Sequence, residues 1–450
     1  MRFKSFPSIL LFVVFGLCFA QVAYSATTPE ALARQAISEN SSESTTAIKG
    51  LREMGPAGLS ALMEIYNDEI KRHTLNTNVQ RDTSPEWLRL SAALDAVSQQ
   101  RDSYASGLYW YTDFEQAKRA AAASGKPILS LRLLGNLNEE FSCANSRFFR
   151  TVLYANREVS DNLRERFILH WKSVRPAPRV TIDFGDGRKL ERTLTGNSIH
   201  YILDTQGRVV DALPGLYGPK AFLRGLAQSE EVVKQYAGKT EAQQTEAFYR
   251  YHRTRVNQTA ADWSTDVQRS GGRVPDTVLA RVSARRQNPD ALEIAPVAMT
   301  KMVVEVNILR AMTTDARELE AVMDEATWAK IAALHAADAR LDERSIALIA
   351  RQTPAAIVEN ASAKTPADAQ LLERIVEKLE RNMALDTVRN EYVLRNRIHA
   401  WLANRARNMT VDALNEKVYA ELFLTPGNDP WLGLYSPDTY TALENGGLVN

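Results

Sequence analysis

Apolar positions recur at helical spacing toward both ends of the chain and gather into short continuous runs in the middle. Leu32, Ala36 and Ile37, then Leu59, Leu62, Met63 and Tyr66, then Leu88, Leu90, Leu94 and Val97 return every three or four residues. That period puts side chains on one face of a helix. Thr28-Pro29 and Ser84-Pro85 start two of these stretches, each a cap followed by Pro at the first helical position. Gly55-Pro56 separates the helix Thr46 to Met54 from the next. Between Tyr109 and Leu226 the period shortens. Ile128 to Leu134, Ile168 to Trp171, Ile199 to Leu203 and Arg208 to Leu213 read as strands bounded by turn formers. Val180 to Phe184 and Arg188 to Leu194 flank Gly185-Asp186-Gly187 and predict a hairpin. Helices are expected at Asp113 to Ser124, from about Cys143, at Val159 to Phe167 and from Pro219. After about Ala237 no further strand is predicted. Thr240 to Val267, Ala367 to Arg405 and Val411 to Phe423 are helical, with breaks at Ser270-Gly271-Gly272, Gln287-Asn288-Pro289, Thr353-Pro354 and Thr365-Pro366.

Composition adds the compartment. Met1 to Ser25 has the form of a secretory signal: Arg2 and Lys4, an apolar run of twelve residues from Ile9 to Ala20, and small residues at Ala23 and Ser25. The run is shorter than the roughly 20 residues that span a bilayer. Cleavage is expected before Ala26, and no later segment is apolar enough to cross a membrane. The mature chain is therefore expected in the periplasm or outside the cell. Its formal charge falls from +1 to −1, too small for bulk attraction to nucleic acid or anionic membrane. Of two cysteines, Cys18 leaves with the signal and Cys143 remains, so no internal disulfide can form.

The order helix, Gly125-Lys126-Pro127 and a central strand, then a loop opening a helix, then a hairpin of the form Ile202-Leu203-Asp204-Thr205-Gln206-Gly207-Arg208-Val209, then Pro214-Gly215 and a closing helix, resembles a thioredoxin-like domain. The stretch AIKGLREMGPAGLSAL similarly resembles one helix–turn–helix unit of the HEAT type, although a stack needs about three. The expected organisation is a signal peptide at 1–25, a helical cap at 26–105, an α/β thioredoxin-like domain with a mixed sheet and flanking helices at 106–237, and an all-α domain at 238–450. The resemblance implies a Cys-x-x-Cys pair at a helix start and a cis-proline opposite. Here the loop Gly135 to Ser146 holds only Cys143, and no proline stands at Ser198 or Ile199. The hairpin at 180–194 is an insertion in such a domain.

Candidate chemistry centres on Cys143. One reading makes it a monothiol nucleophile for thiol–disulfide or peroxide chemistry, with His200 as base or positioning group. The other makes it a buried small apolar residue, since unpaired Cys is among the most buried types. Glu139 and Glu140 beside it disfavour a thiolate. His200 and His170, each in an apolar strand, read equally as core histidines. The six histidines show no metal-ligand spacing, so neither a metal nor a cofactor is expected. Gly185-Asp186-Gly187 is a turn rather than a phosphate loop. Asp386 to Tyr392, with Arg395, Arg397 and His399, is dense in polar groups within an apolar helical run. We expect a solvated face with helix pairing there; a polar network between helices or a ligand site is the alternative. Trp431, Tyr435 and Tyr440 are expected to anchor a tail. The function expected is an interaction scaffold in the cell envelope with an unknown protein partner. A monothiol oxidoreductase is the alternative.

Overall fold

A computed structural model describes residues 28–75, 84–194, 196–236, 238–271, 325–353, 366–404, 409–425 and 427. The expected signal peptide, the break at 287–289 and the Trp431 tail lie outside the described residues.

The first layer is helical: α1 (Pro29–Gln35), α2 (Ser41–Glu53), α3 (Pro56–Ile65), α4 (Asn67–Leu75) and α5 (Pro85–Ser98). Thr28 and Ser84 cap α1 and α5 through their hydroxyls, as the sequence predicts. Helix α2 begins five residues earlier than the apolar period indicates, because the Asn40 side chain accepts from the N–H groups of Ser42 and Glu43 and starts a polar first turn. Helices α2 and α3 form the expected pair, crossing so closely that a Cβ on Gly58 would lie 2.0 Å from the Leu51 carbonyl oxygen. Their apolar faces join α5 in one cluster around Leu51, Leu62 and Leu94.

Next come α6 (Phe114–Ser124), β1 (Ile128–Leu134), α7 (Ala144–Phe148), a π-helical turn at Phe149–Leu153, α8 (Arg157–Arg166) and β2 (Ile168–Arg175). They are followed by β3 (Arg179–Asp183), β4 (Lys189–Thr193), β5 (Ser198–Leu203), β6 (Val209–Pro214) and α9 (Pro219–Tyr236). Four strands form a mixed sheet in the order β2-β1-β5-β6. Strand β1 runs parallel to β2, with Ile128 opposite Ile168, and antiparallel to β5, with Ile128 opposite Leu203. Strands β5 and β6 are antiparallel. Every residue of β1, β5 and β6 is buried, which accounts for their continuous rather than alternating apolar runs. The predicted hairpin β3–β4 is a separate two-stranded sheet, and Ile182 and Phe184 stand exposed on it.

The carboxy-terminal layer holds α10 (Glu241–Arg269), α11 (Glu325–Leu334), α12 (Glu343–Gln352), α13 (Pro366–Arg389), a second π-helical turn at Asn390–Arg395, α14 (Asn396–Ala403) and α15 (Val411–Glu421). A capping box of Thr240 and Gln243 opens α10. The long helix expected at 367–405 is thus interrupted by one wide turn. A single apolar cluster runs from Leu108 through the sheet to Phe423. The sheet and the later helices therefore share one apolar core. No helix among the described residues is long and apolar enough to cross a membrane.

Candidate functional site

Cys143 is the N-cap residue of α7, and its N–H donates to the Leu134 carbonyl at the end of β1 (3.0 Å). The loop between them is held from inside by Arg150, which donates to the Glu139 carbonyl (2.6 Å). The thiol is wholly buried, with its Sγ 2.9 Å from Ser198 Oγ and 3.4 Å from Ser146 Oγ. Helix α15 and the residues after it close the far side. The Tyr419 hydroxyl donates to the Asn197 carbonyl (2.9 Å), and the Asn197 amide donates to Thr425 Oγ1 (2.7 Å). Burial, and next the neighbouring Cys143, push the Tyr419 phenol well up. Of the two acidic neighbours, Glu140 pairs with Arg101 (2.6 Å) and Glu139 accepts from Asn136 (2.8 Å).

His200 lies on β5, completely buried against Phe149 and Phe222. Its Nε2 is 2.7 Å from the Tyr154 hydroxyl, and burial pushes it down to about 3, so the ring is neutral. Ser198 and His200 share a face of β5 two residues apart, which sets the imidazole about 7 Å along the strand from the serine that touches the thiol. The two predicted residues thus occupy one region of the core without a hydrogen bond between them. His170 is likewise a core histidine, 2.8 Å from Ser130 Oγ and pushed down to about 3 by burial and then by Arg132.

The polar run at 386–399 is not a solvated face. Asp386, Thr387, Arg389, Asn390, Arg395 and His399 are all buried. Within the π-helical turn Asn390 donates to the Leu216 carbonyl (2.8 Å) and Arg395 reaches the sheet, and such widened turns concentrate at functional positions. Arg395 donates to Asp211 in the middle of β6 (2.7 Å) and to Glu391 (3.0 Å). Asp211 also accepts from Ser229 (3.0 Å) and Tyr251 (2.5 Å). Against its own desolvation, the Arg395 guanidinium holds the Asp211 carboxyl well below the usual carboxylate range. His252 and His399 meet at 2.8 Å through their Nδ1 atoms, and burial pushes both down, His252 to about 4. Sequence reasoning missed Asp211, Ser229, Tyr251 and His252. One signal was present: a lone Asp inside Val209-Val210-Asp211-Ala212-Leu213 must find a partner when that strand is buried.

Beside this network lies a cavity of about 590 Å³ between α9, α10, the turn at 336–339 and the second π-helical turn. Its walls are ion pairs. Arg224 grips Asp338 with two 2.7 Å bonds, Arg255 binds Glu391 (2.9 Å), and Arg269 faces Asp266 (3.4 Å). His335 bridges Asp266 (2.5 Å) and Asp338 (3.8 Å), and its bonds to these two carboxylates raise its pKa. The Tyr217 hydroxyl, Gln228 Oε1 and the Nε atoms of Arg255 and Arg395 are buried there without a hydrogen-bond partner among the described residues. No three metal-ligating side chains are grouped to hold an ion among the described residues. Comparisons with protein families, with curated proteins and with solved structures find no match to this chain.

Proposed function

We propose that this chain is an exported interaction scaffold built on a thioredoxin-like core, acting in the cell envelope through an unidentified protein partner and not through thiol chemistry. The sheet order β2-β1-β5-β6, with one parallel pair followed by an antiparallel hairpin and a closing helix, supports the thioredoxin-like part. The leader-like Met1 to Ser25 supports export.

The observation that carries the reading is the enclosure of Cys143. A nucleophilic thiol has to meet its substrate as thiolate, and thiolate forms where a positive field and access coincide. Here the thiol faces two serine hydroxyls, its helix has only five residues, and Tyr419 of the same chain covers the adjoining strand. The reading is tested by the alkylation rate of Cys143 against pH in the folded and the urea-unfolded protein. We expect reaction only on unfolding. A folded-state rate that plateaus below pH 7 would overturn the scaffold reading in favour of a monothiol redox protein.

A further inference from the structure

We propose that two copies of this chain join edge to edge through β3, antiparallel about a two-fold axis at Thr181, so that their β3–β4 hairpins form one continuous sheet. An open edge is the first ground. Among the described residues β3 and β4 pair only with each other. The Phe184 N–H donates to the Arg188 carbonyl (3.1 Å) and the Leu194 N–H to the Pro178 carbonyl (2.9 Å), with Ile182 opposite Leu190 between them. Backbone groups alternate in direction along an antiparallel strand. Those of Val180 and Ile182 therefore face β4, and those of Arg179, Thr181 and Asp183 face outward. All three of these residues are exposed. A row of unpaired N–H and C=O groups is a template for another strand.

Charge complementarity selects the occupant. The strand reads Arg179-Val180-Thr181-Ile182-Asp183. Centring an antiparallel pair on Thr181 is the one register that matches all five residues with those of a second copy. It sets Arg179 opposite Asp183 of the other copy, and Val180 opposite its Ile182, each twice over. Opposite charges and β-branched pairs so placed are favourable. Within its own chain Asp183 pairs with Lys189 (3.3 Å), while Arg179 pairs with Glu191 (3.5 Å) and lies over the Phe141 ring. These side chains are about half exposed, so each keeps its own partner and gains another across the axis. Signs then alternate across the sheet, from Lys189 to Asp183 to the other copy's Arg179. Ile182, exposed on the apolar face of the hairpin, gains the other copy's Val180 as a neighbour.

The second edge argues against itself. Strand β4 reads Lys189-Leu190-Glu191-Arg192-Thr193, and the same operation would set Glu191 against Glu191. A contact of β3 with β4 of the other copy would leave an edge open at each end and would not close. The pairing through β3 does not depend on the state of Cys143.

Sedimentation equilibrium of the full mature chain tests this. We expect a reversible monomer–dimer equilibrium. It should depend on concentration, because five residues per copy cover less than the roughly 800 Å² per partner of a standard interface. Arg179→Asp faces Asp183 of the other copy with a like charge, and Asp183→Arg does the same to Arg179. Each should weaken the dimer about tenfold. A mixture of the two variants should regain it, since each presents the charge that the other lacks, and a misfolded hairpin would not recover in this way. The proposal is overturned if the parent chain stays monomeric at every concentration, if the single variants dimerise as tightly as the parent, or if the mixture associates no better than either variant alone.

Discussion

Asp211 shows what one buried side chain can demand of a chain. It stands in an apolar strand, fully enclosed, and its charge is met by Arg395, 184 residues away. Ser229, Tyr251 and its neighbour's N–H at Ala212 fill its remaining acceptor positions. Removing one partner of such a pair leaves the other charge buried and uncompensated, which costs about 3–5 kcal/mol. We therefore expect Asp211→Ala to lower the unfolding free energy by that amount, read from urea denaturation. The double variant Asp211→Leu with Arg395→Met should regain most of it, because neither charge then remains. Equal losses in the single and double variants would mean that the pair is not the source of the effect. Arg395 was legible as part of a polar cluster. Asp211 was legible only as an oddity, because nothing local says which helix will cover β6.

At the level of elements, close approaches decide where the helices sit. Gly218 precedes α9, and its N–H donates to Thr387 (2.8 Å). A Cβ there would meet the Asp338 carbonyl oxygen at 2.3 Å and the Ala339 Cα at 2.7 Å, backbone that cannot swing aside. Gly218→Ala should force the turn at 336–339 away from α9 and cost about 1–3 kcal/mol, the usual range for overpacking. Phe184→Ser on the β3–β4 hairpin is the matching control. Phe184 is more than half exposed, at 55%, and its loss should stay within about 0.5 kcal/mol. Thermal denaturation of the two variants side by side checks the contrast, and an equal shift would show that the packing at Gly218 is not limiting. Helix caps, the α2–α3 pair and the hairpin were all visible in the sequence, because each is made by residues close together in the chain. The π-helical turns were not, since a one-residue slip in the apolar period is not distinguishable in so short a stretch.

Across the whole molecule, buried ionisable groups set the response to acid. His170, His200, His252 and His399 are all held below their ordinary value of 6.5 by burial. Each takes up a proton on unfolding below about pH 6.5, His252 down to about pH 4 and His170 and His200 down to about pH 3. Asp95, pushed up to about 7 by burial, does the reverse and releases one. Net uptake on unfolding means that stability falls as pH falls through this window. Asp211 and Asp338, both depressed, add a further loss below about pH 4. His335 has the opposite sign: its raised pKa gives stability below 6.5 that is lost as pH rises through its folded value. The urea midpoint should therefore drop steeply between pH 7 and pH 5. A midpoint that is flat or rises toward acid would contradict the neutral state of these imidazoles.

Local sequence set the elements of this protein: the helical spacing at both ends, the continuous apolar strands between them, the caps and the hairpin. These follow from local propensity and from periodicity, which record whether a face is covered. They do not record what covers it. Only the tertiary structure decided that α15 closes over the strand beside Cys143, that His200 pairs with Tyr154, and that the polar run at 386–399 turns inward to meet Asp211. Each of these joins residues far apart in the chain. Their geometry is fixed by how the layers pack and by the cost of leaving a buried charge or hydroxyl alone, neither of which any single stretch of sequence contains.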